Sequence, residues 1–255
     1  MKNKKETFKS IMETFGMKRD LRTVFADFLT LTICAFSQNP ETKLSYHEEE
    51  YLRIIGKYDK PHETDLFPKL LATLIMEMEE LLQSNHPGPD VLGNFFELYV
   101  ASDRKAQFFT PWHICMFMAS ITGDEETEQP LSIIDPCCGS GRMLLAKSVT
   151  CGKQHYFYGI DIDPICVHMT IINLFLNGVF HAEVMQANAL NPHDFVVSYV
   201  TSLYPLGLFK ITEREASPLW NRLQVAYIKD SNKPIEKEFK IVSVDTDRGA
   251  QISLF

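Results

Sequence analysis

Several features are scarce in this chain, and each scarcity removes a class of protein. No stretch approaches the roughly 20 consecutive apolar residues that a membrane span needs, and the lysine-rich start, Met1 to Lys5, runs into Glu6 and polar residues instead of an apolar signal core. A cytoplasmic location is the expectation. The six cysteines (Cys34, Cys115, Cys137, Cys138, Cys151 and Cys166) contain no C-x-x-C pair, and none of the eight histidines falls at zinc-site spacing beside them. That argues against a structural metal and for free thiols packed as small apolar groups. Positive charge is also short: 25 Lys and Arg stand against 33 Asp and Glu, a formal net charge of −8. Tight, unaided binding of duplex DNA draws on Lys and Arg displacing counterions, so it is not expected here. The basic residues gathered between Lys2 and Arg22 read as a solvated face. Internal repeats and low-complexity tracts are missing too.

What is present is an ordinary globular text of 255 residues, 45% hydrophobic, enough for a substantial core. Up to about residue 90 the pattern is helical, with stripes at three and four spacing in Leu21-Val24-Phe25-Phe28-Leu29 and Leu70-Leu71-Leu74-Ile75-Met78. The breaker cluster Asn85 to Asp90 marks a boundary. After residue 130 short strands alternate with helices, as in a parallel α/β sheet: strands at 131–135, 156–161 and 181–186, helices at 141–149 and 164–176. Pro164 suits a first helical turn and Gly178 a C-terminal cap. Beyond residue 220, the runs Leu223 to Ile228 and Phe239 to Val244 predict a terminal β-hairpin. The expected organisation is a helical region over 1–89, an α/β domain over 90–220, and a hairpin with a tail over 221–255.

The sharpest chemistry lies in Asp135-Pro136-Cys137-Cys138-Gly139-Ser140-Gly141-Arg142, at a strand end that opens a helix. Gly139 and Gly141 let backbone approach a ligand, and the free N–H groups of the helix start favour an anionic group such as a carboxylate. The third glycine of a dinucleotide fingerprint would fall at Leu144 and is missing. A second acid, Asp161, ends the next strand some 20 residues further on, where a carboxylate can accept both hydroxyls of a ribose. Asp163 is placed to cap the helix beginning at Pro164.

These residues resemble a known family. Gly93-Asn94-Phe95-Phe96-Glu97-Leu98-Tyr99, then Gln107-Phe108-Phe109-Thr110-Pro111, then Asp135 to Gly141 look like the motifs, in order, of the modification subunit of type I restriction-modification systems, and more widely of the gamma-class N6-adenine DNA methyltransferases. The resemblance covers Asp90 to Leu190. It implies an α/β, Rossmann-like S-adenosylmethionine-dependent methyltransferase fold, an incomplete doubly wound sheet with an N-terminal helical region. It also implies S-adenosyl-L-methionine as cofactor. Phe109, Thr110 and Pro111 would border its methionine end, and Asp135, Gly139 and Gly141 would hold its amino and carboxylate groups. Asp161 would take the ribose and Asn188 the adenine ring, with Pro136, Cys137, Ile162 and Leu190 completing the contacts.

The family continues with Asn-Pro-Pro and an aromatic residue, on which a flipped adenine stacks while the Asn accepts from its amino group. This chain has no Asn-Pro-Pro. Asn191-Pro192-His193 follows Asn188 too closely to clear a helix and return up a fourth strand. The expected register is Ser202 to Gly207, with Tyr204 and Pro205 as a degenerate motif. Leu203 or Tyr204 then stands where the amide belongs, a loss on the order of 10²–10³ in rate. Fewer than about 50 residues follow 207, too few for the rest of a seven-stranded sheet and a target-recognition domain, so specificity is expected from a partner chain. Finally, Gln251-Ile252-Ser253-Leu254-Phe255 resembles the pentapeptide with which replication proteins dock on the bacterial sliding clamp, Gln251, Leu254 and Phe255 being the contacts; a last strand buried in the core is the competing reading. Two functions lead, with methylation of RNA, protein or a small molecule by the same fold open as a third. One is an adenine-N6 DNA methyltransferase of weak or partner-dependent activity. The other is a non-catalytic S-adenosylmethionine-binding module that serves replication or mobile-element DNA through its tail.

Overall fold

A computed structural model describes residues 6–37, 47–84, 88–101, 108–122, 129–191 and 193–231. Helices α1 (Phe8–Gly16), α2 (Leu21–Phe36), α3 (Glu48–Ile55) and α4 (Leu66–Ser84) come first, followed by the short α5 (Val91–Phe95), which runs on into a π-helical turn, Phe96–Val100. Then come α6 (Trp112–Ile121), strand β1 (Ser132–Asp135), α7 (Arg142–Cys151), β2 (Tyr156–Asp161), α8 (Pro164–Leu176), β3 (Ala182–Gln186), β4 (Val197–Leu203), β5 (Leu206–Ile211) and α9 (Pro218–Ser231). Among the described residues no helix is long and apolar enough to cross a membrane.

Local chemistry accounts for the helix starts. Thr7 and Ser10 form a reciprocal capping box on α1, Asp20 accepts from Thr23 N at the head of α2, and Asp163 accepts from Ile165 N with Pro164 in the first turn of α8. The apolar stripes of α2 and α4 fall in the core: Val24, Phe25, Leu29, Leu70 and Leu74 are all fully buried. The N-terminal helices are not set apart from the sheet. One continuous apolar cluster joins Phe8, Phe25 and Phe28 to Phe157, Ile171 and Val184.

The strand alternation sorts residues to two faces. Phe157 and Val184 join that large cluster on the face covered by α8 and α2, whereas Tyr158, Ile160 and Met185 pack with Leu219 and Trp220 of α9 on the other. The order of the five strands is β1-β2-β3-β4-β5. β1, β2 and β3 are parallel, and β4 and β5 are antiparallel to their neighbours. The expected parallel half is therefore present, but among the described residues the order never doubles back, and β1 lies at an edge. The connection from Gln186 to Val197 explains the reversal: it is short, among its described residues it holds no helix, and a parallel return needs a crossover of about a dozen residues or more, usually helical.

Two further expectations are corrected. Leu223 to Ile228 is not a strand, because it falls inside α9. The start signal overrides the apolar run: Ser217 Oγ accepts from Trp220 N at 3.0 Å, Glu183 Oε2 accepts from Leu219 N at 2.8 Å, and Pro218 occupies the first turn. Tyr204 and Pro205 form the turn of the β4–β5 hairpin, with Leu203 paired to Leu206. Since Gln186 faces Val197, β4 begins beside the end of β3 and runs back down the sheet. At about 3.4 Å per residue, the step from Val197 to Tyr204 is roughly 24 Å. The degenerate motif thus sits at the opposite end of the sheet from the glycine turn and shares no site with it. Phe239 to Val244 and Gln251 to Phe255 lie outside the described residues.

Candidate functional site

The site is assembled at the C-terminal ends of β1, β2 and β3. β1 delivers Asp135 and the turn that follows. Cys138 N donates to Ile160 O at 2.9 Å, fastening this turn to β2, and Asp135 Oδ1 accepts from Cys137 N at 3.1 Å. Gly139 and Gly141 adopt φ of 56° and 85°, a region that strains any side chain. Space forbids one as well. A Cβ on Gly139 would stand 2.8 Å from the ring of Phe109, and one on Gly141 would stand 2.9 Å from Thr170 Cγ2. The aromatic wall Phe109 is therefore seated directly on the glycine turn.

β2 delivers Asp161, whose two oxygens are both engaged: Oδ2 accepts from Gly139 N and Oδ1 from Asp163 N, each at 2.9 Å. A carboxylate has about four lone-pair sites, so acceptor capacity remains for a ligand's hydroxyls. Ala187 N donates to Asp161 O at 3.1 Å, which brings the end of β3 alongside. There Asn188 Oδ1 accepts from Leu190 N at 3.0 Å, and Asn188 is exposed. Ile162 and Leu190 are 69% and 94% exposed, so neither apolar side chain is committed to the core and both are open to a flat ring.

Burial raises the pKa of both acids, and the charge of Asp161 raises that of Asp135 further. Once ionised, two neighbouring carboxylates attract a cationic ligand. A sulfonium with an α-ammonium group fits that electrostatic demand, and the glycine turn supplies the close backbone approach. By contrast, burial pushes the Cys138 thiol well up, which makes it an inert packing group. Among the described residues no three His, Cys, Asp or Glu side chains gather as a metal site.

Hydrogen bonds thus tie three consecutive strand ends together at Gly139, Asp161 and Ala187, and Phe109, of the segment before α6, lies against Gly139. Sequence reasoning missed a buried polar knot behind them. Arg142, the first residue of α7, donates through Nε to Asp90 Oδ2 at 2.6 Å, and through Nη2 to Asn94 Oδ1 at 2.9 Å and Glu97 Oε2 at 2.7 Å. Asp90 Oδ1 accepts from Gly93 N and from Asn173 Nδ2, and the same Asn173 amide donates to Ser140 O at 2.8 Å. Glu97 Oε1 accepts from Phe109 N at 2.6 Å. One signal was available: Asn173 is a polar residue flanked by the apolar run Ile171-Ile172 and Leu174-Phe175-Leu176 of α8.

A family model described as N-6 DNA Methylase matches residues 88–205, the span that holds the knot, the glycine turn and both acids. Over this segment the chain is similar to the N-6 DNA methylase family. Among solved structures it is similar to a type I restriction-modification system methyltransferase subunit from Streptococcus thermophilus, with 16% identity, a TM-score of 0.34, and coverage of 70% of this chain and 58% of that one. It is also similar to a chain assigned as a modification subunit of a type I restriction enzyme from Vibrio vulnificus, with 18% identity, a TM-score of 0.30, and coverage of 56% and 28%. A third chain, assigned as a class I S-adenosylmethionine-dependent methyltransferase from Listeria monocytogenes, gives 16% identity, a TM-score of 0.35, and coverage of 66% and 54%. The chain therefore spans well under two thirds of the length of each. The similarity to N-6 DNA methylases rests on the matched segment.

Proposed function

We propose that the crevice binds S-adenosyl-L-methionine and that the chain serves adenine-N6 methylation of DNA as the cofactor-holding part of an assembly. One observation carries this reading: Asp161 accepts from the N–H of Gly139, so that the ribose acid and the glycine turn are tied together near a second acid, Asp135, whose pKa the charge of Asp161 raises. When bound, the cofactor supplies an electrophilic methyl on sulfur. The chain's own residues then have three tasks. Asp161 accepts from the ribose hydroxyls, Asp135 and the glycine turn hold the amino-acid end, and Ile162 and Leu190 flank the adenine, with Asn188 at its edge.

The group that would polarise the target amino nitrogen is not supplied by the Tyr204–Pro205 turn, which lies at the far end of the sheet. This supports a partner chain as the source of the base-binding acceptor and of sequence specificity. The same observation favours a second reading, a module that binds the cofactor without turnover and reaches DNA through another protein, the sliding clamp, whose docking pentapeptide Gln251 to Phe255 resemble.

A calorimetric titration followed by methyl transfer from labelled cofactor to total DNA, alone and with cell extract from the source, separates the two. Binding with extract-dependent incorporation supports the first. Binding without incorporation, together with clamp association lost on deleting Gln251 to Phe255, supports the second. No binding at all overturns both.

A further inference from the structure

Arg142 stands where the cradle opens into its helix, yet every polar contact of its side chain lies in the 90–110 stretch. It touches Asp90, Asn94, Glu97 and, more distantly at 3.4 Å, the carbonyl of Thr110. The guanidinium is buried, with a side-chain exposure of 7%, and its carbon lies 5.5 Å from the centre of the Phe109 ring. Glu97 completes the link, accepting from Arg142 with one oxygen and from the backbone N–H of Phe109 with the other. The wall Phe109-Thr110-Pro111 is an irregular segment with no ladder of its own to fix it, so these charge-assisted bonds, with the stacking of Phe109 on Phe96 at 5.7 Å, hold it against Gly139.

We infer that Arg142 and Glu97 are positioning residues that hold this wall over the amino-acid end of the crevice, and so set the preference for ligands carrying an amino-acid tail over bare nucleosides. The inference rests on the S-adenosylmethionine reading. The planar fork of arginine matters because one guanidinium serves two carboxylates, an amide and a carbonyl, which a point charge cannot reach together. Neither residue is within reach of the ribose acid, whose partners are Gly139 and Asp163. Disturbing the clamp should therefore move one half of the crevice and spare the other.

The test is calorimetry of the full chain with S-adenosylhomocysteine, which has the tail, and 5′-methylthioadenosine, which lacks it. In Glu97→Gln and in Arg142→Lys the affinity for S-adenosylhomocysteine should fall on the order of 10- to 100-fold, the scale of a lost charge-assisted bond. Affinity for methylthioadenosine should change less than about twofold. The double variant should be little worse than either single one, since both act through the same wall. Equal weakening of the two ligands would show a merely structural role and overturn the inference, as would unchanged affinity for both in folded protein. Should Arg142→Lys fail to fold, Glu97→Gln, a partly exposed site that keeps an acceptor for Phe109 N, still decides the matter. A wild-type chain that binds neither ligand overturns the cofactor reading itself, and that result is visible before any variant is made.

Discussion

Asp161 Oδ2 lies 2.9 Å from the backbone nitrogen of Gly139, so the acid that ends the second strand holds the turn that ends the first. Asp161→Ala should therefore cost more than a ribose contact. Losing a hydrogen bond to a charged group is worth about 1.5–3 kcal/mol, which is roughly 10- to 100-fold in affinity for S-adenosylmethionine. The amide protons of residues 139–141 should also exchange faster. Calorimetry and hydrogen exchange check the two halves; near-normal affinity would mean the ribose acid lies elsewhere.

Gly139→Ala should destabilise the fold by about 1–3 kcal/mol, because φ of 56° strains a side chain and the new methyl meets the Phe109 ring. Combining it with Phe109→Leu should recover the steric share and leave the backbone share. Urea unfolding of the four members of the cycle measures the split, and strict additivity would count against the contact.

Burial raises the pKa of Asp135 and Asp161 above the ordinary carboxylate value of 3.8. A cationic ligand needs both ionised, so affinity should climb as pH rises through and beyond the usual carboxylate range. Titrations carried upward from the ordinary carboxylate range should show this climb, and Asp135→Asn should flatten it. Folding without ligand responds in the opposite sense, because these two acids hold protons longer in the folded chain than in the unfolded one.

His168 works on folding alone. Burial, aided by the charge of Lys210, lowers its pKa from 6.5 to about 4, and its ring lies 3.0 Å from the Tyr199 hydroxyl. Between those values the unfolded chain binds more protons, so this residue's contribution is present above pH 6.5 and is lost as pH falls through about 4. Replacing it by glutamine, which still reaches the hydroxyl, should flatten that part of the acid limb in urea midpoints taken across the window. A limb as steep as wild type would assign it to other groups.

The local grammar was legible. The β1 turn, Asp161, the Asp163 cap and the Pro164 start each depend on residues within a few positions of one another, and the chain carries their signatures openly. Direction was not: the apolar pattern of 197–203 reads the same up or down a sheet, and only the short link from β3 decides it. For Leu223 to Ile228 the apolar run misled, although Ser217 and Pro218 had already signalled a helix. The knot of Asp90, Glu97, Arg142 and Asn173 spans more than 80 positions, and no periodicity encodes which distant charges will meet.

Among the described residues, no strand pairs with the outer edge of Ser132 to Asp135. Such a margin is a short ruler of amide and carbonyl groups whose last division is Asp135 itself. An extended segment laid along it, from whatever source, would be indexed against the glycine turn by backbone alone, and slipping by one residue would carry its side chains to the wrong side. The geometry of anything arriving on that side of the crevice is thereby written into four residues of main chain, leaving composition free to vary.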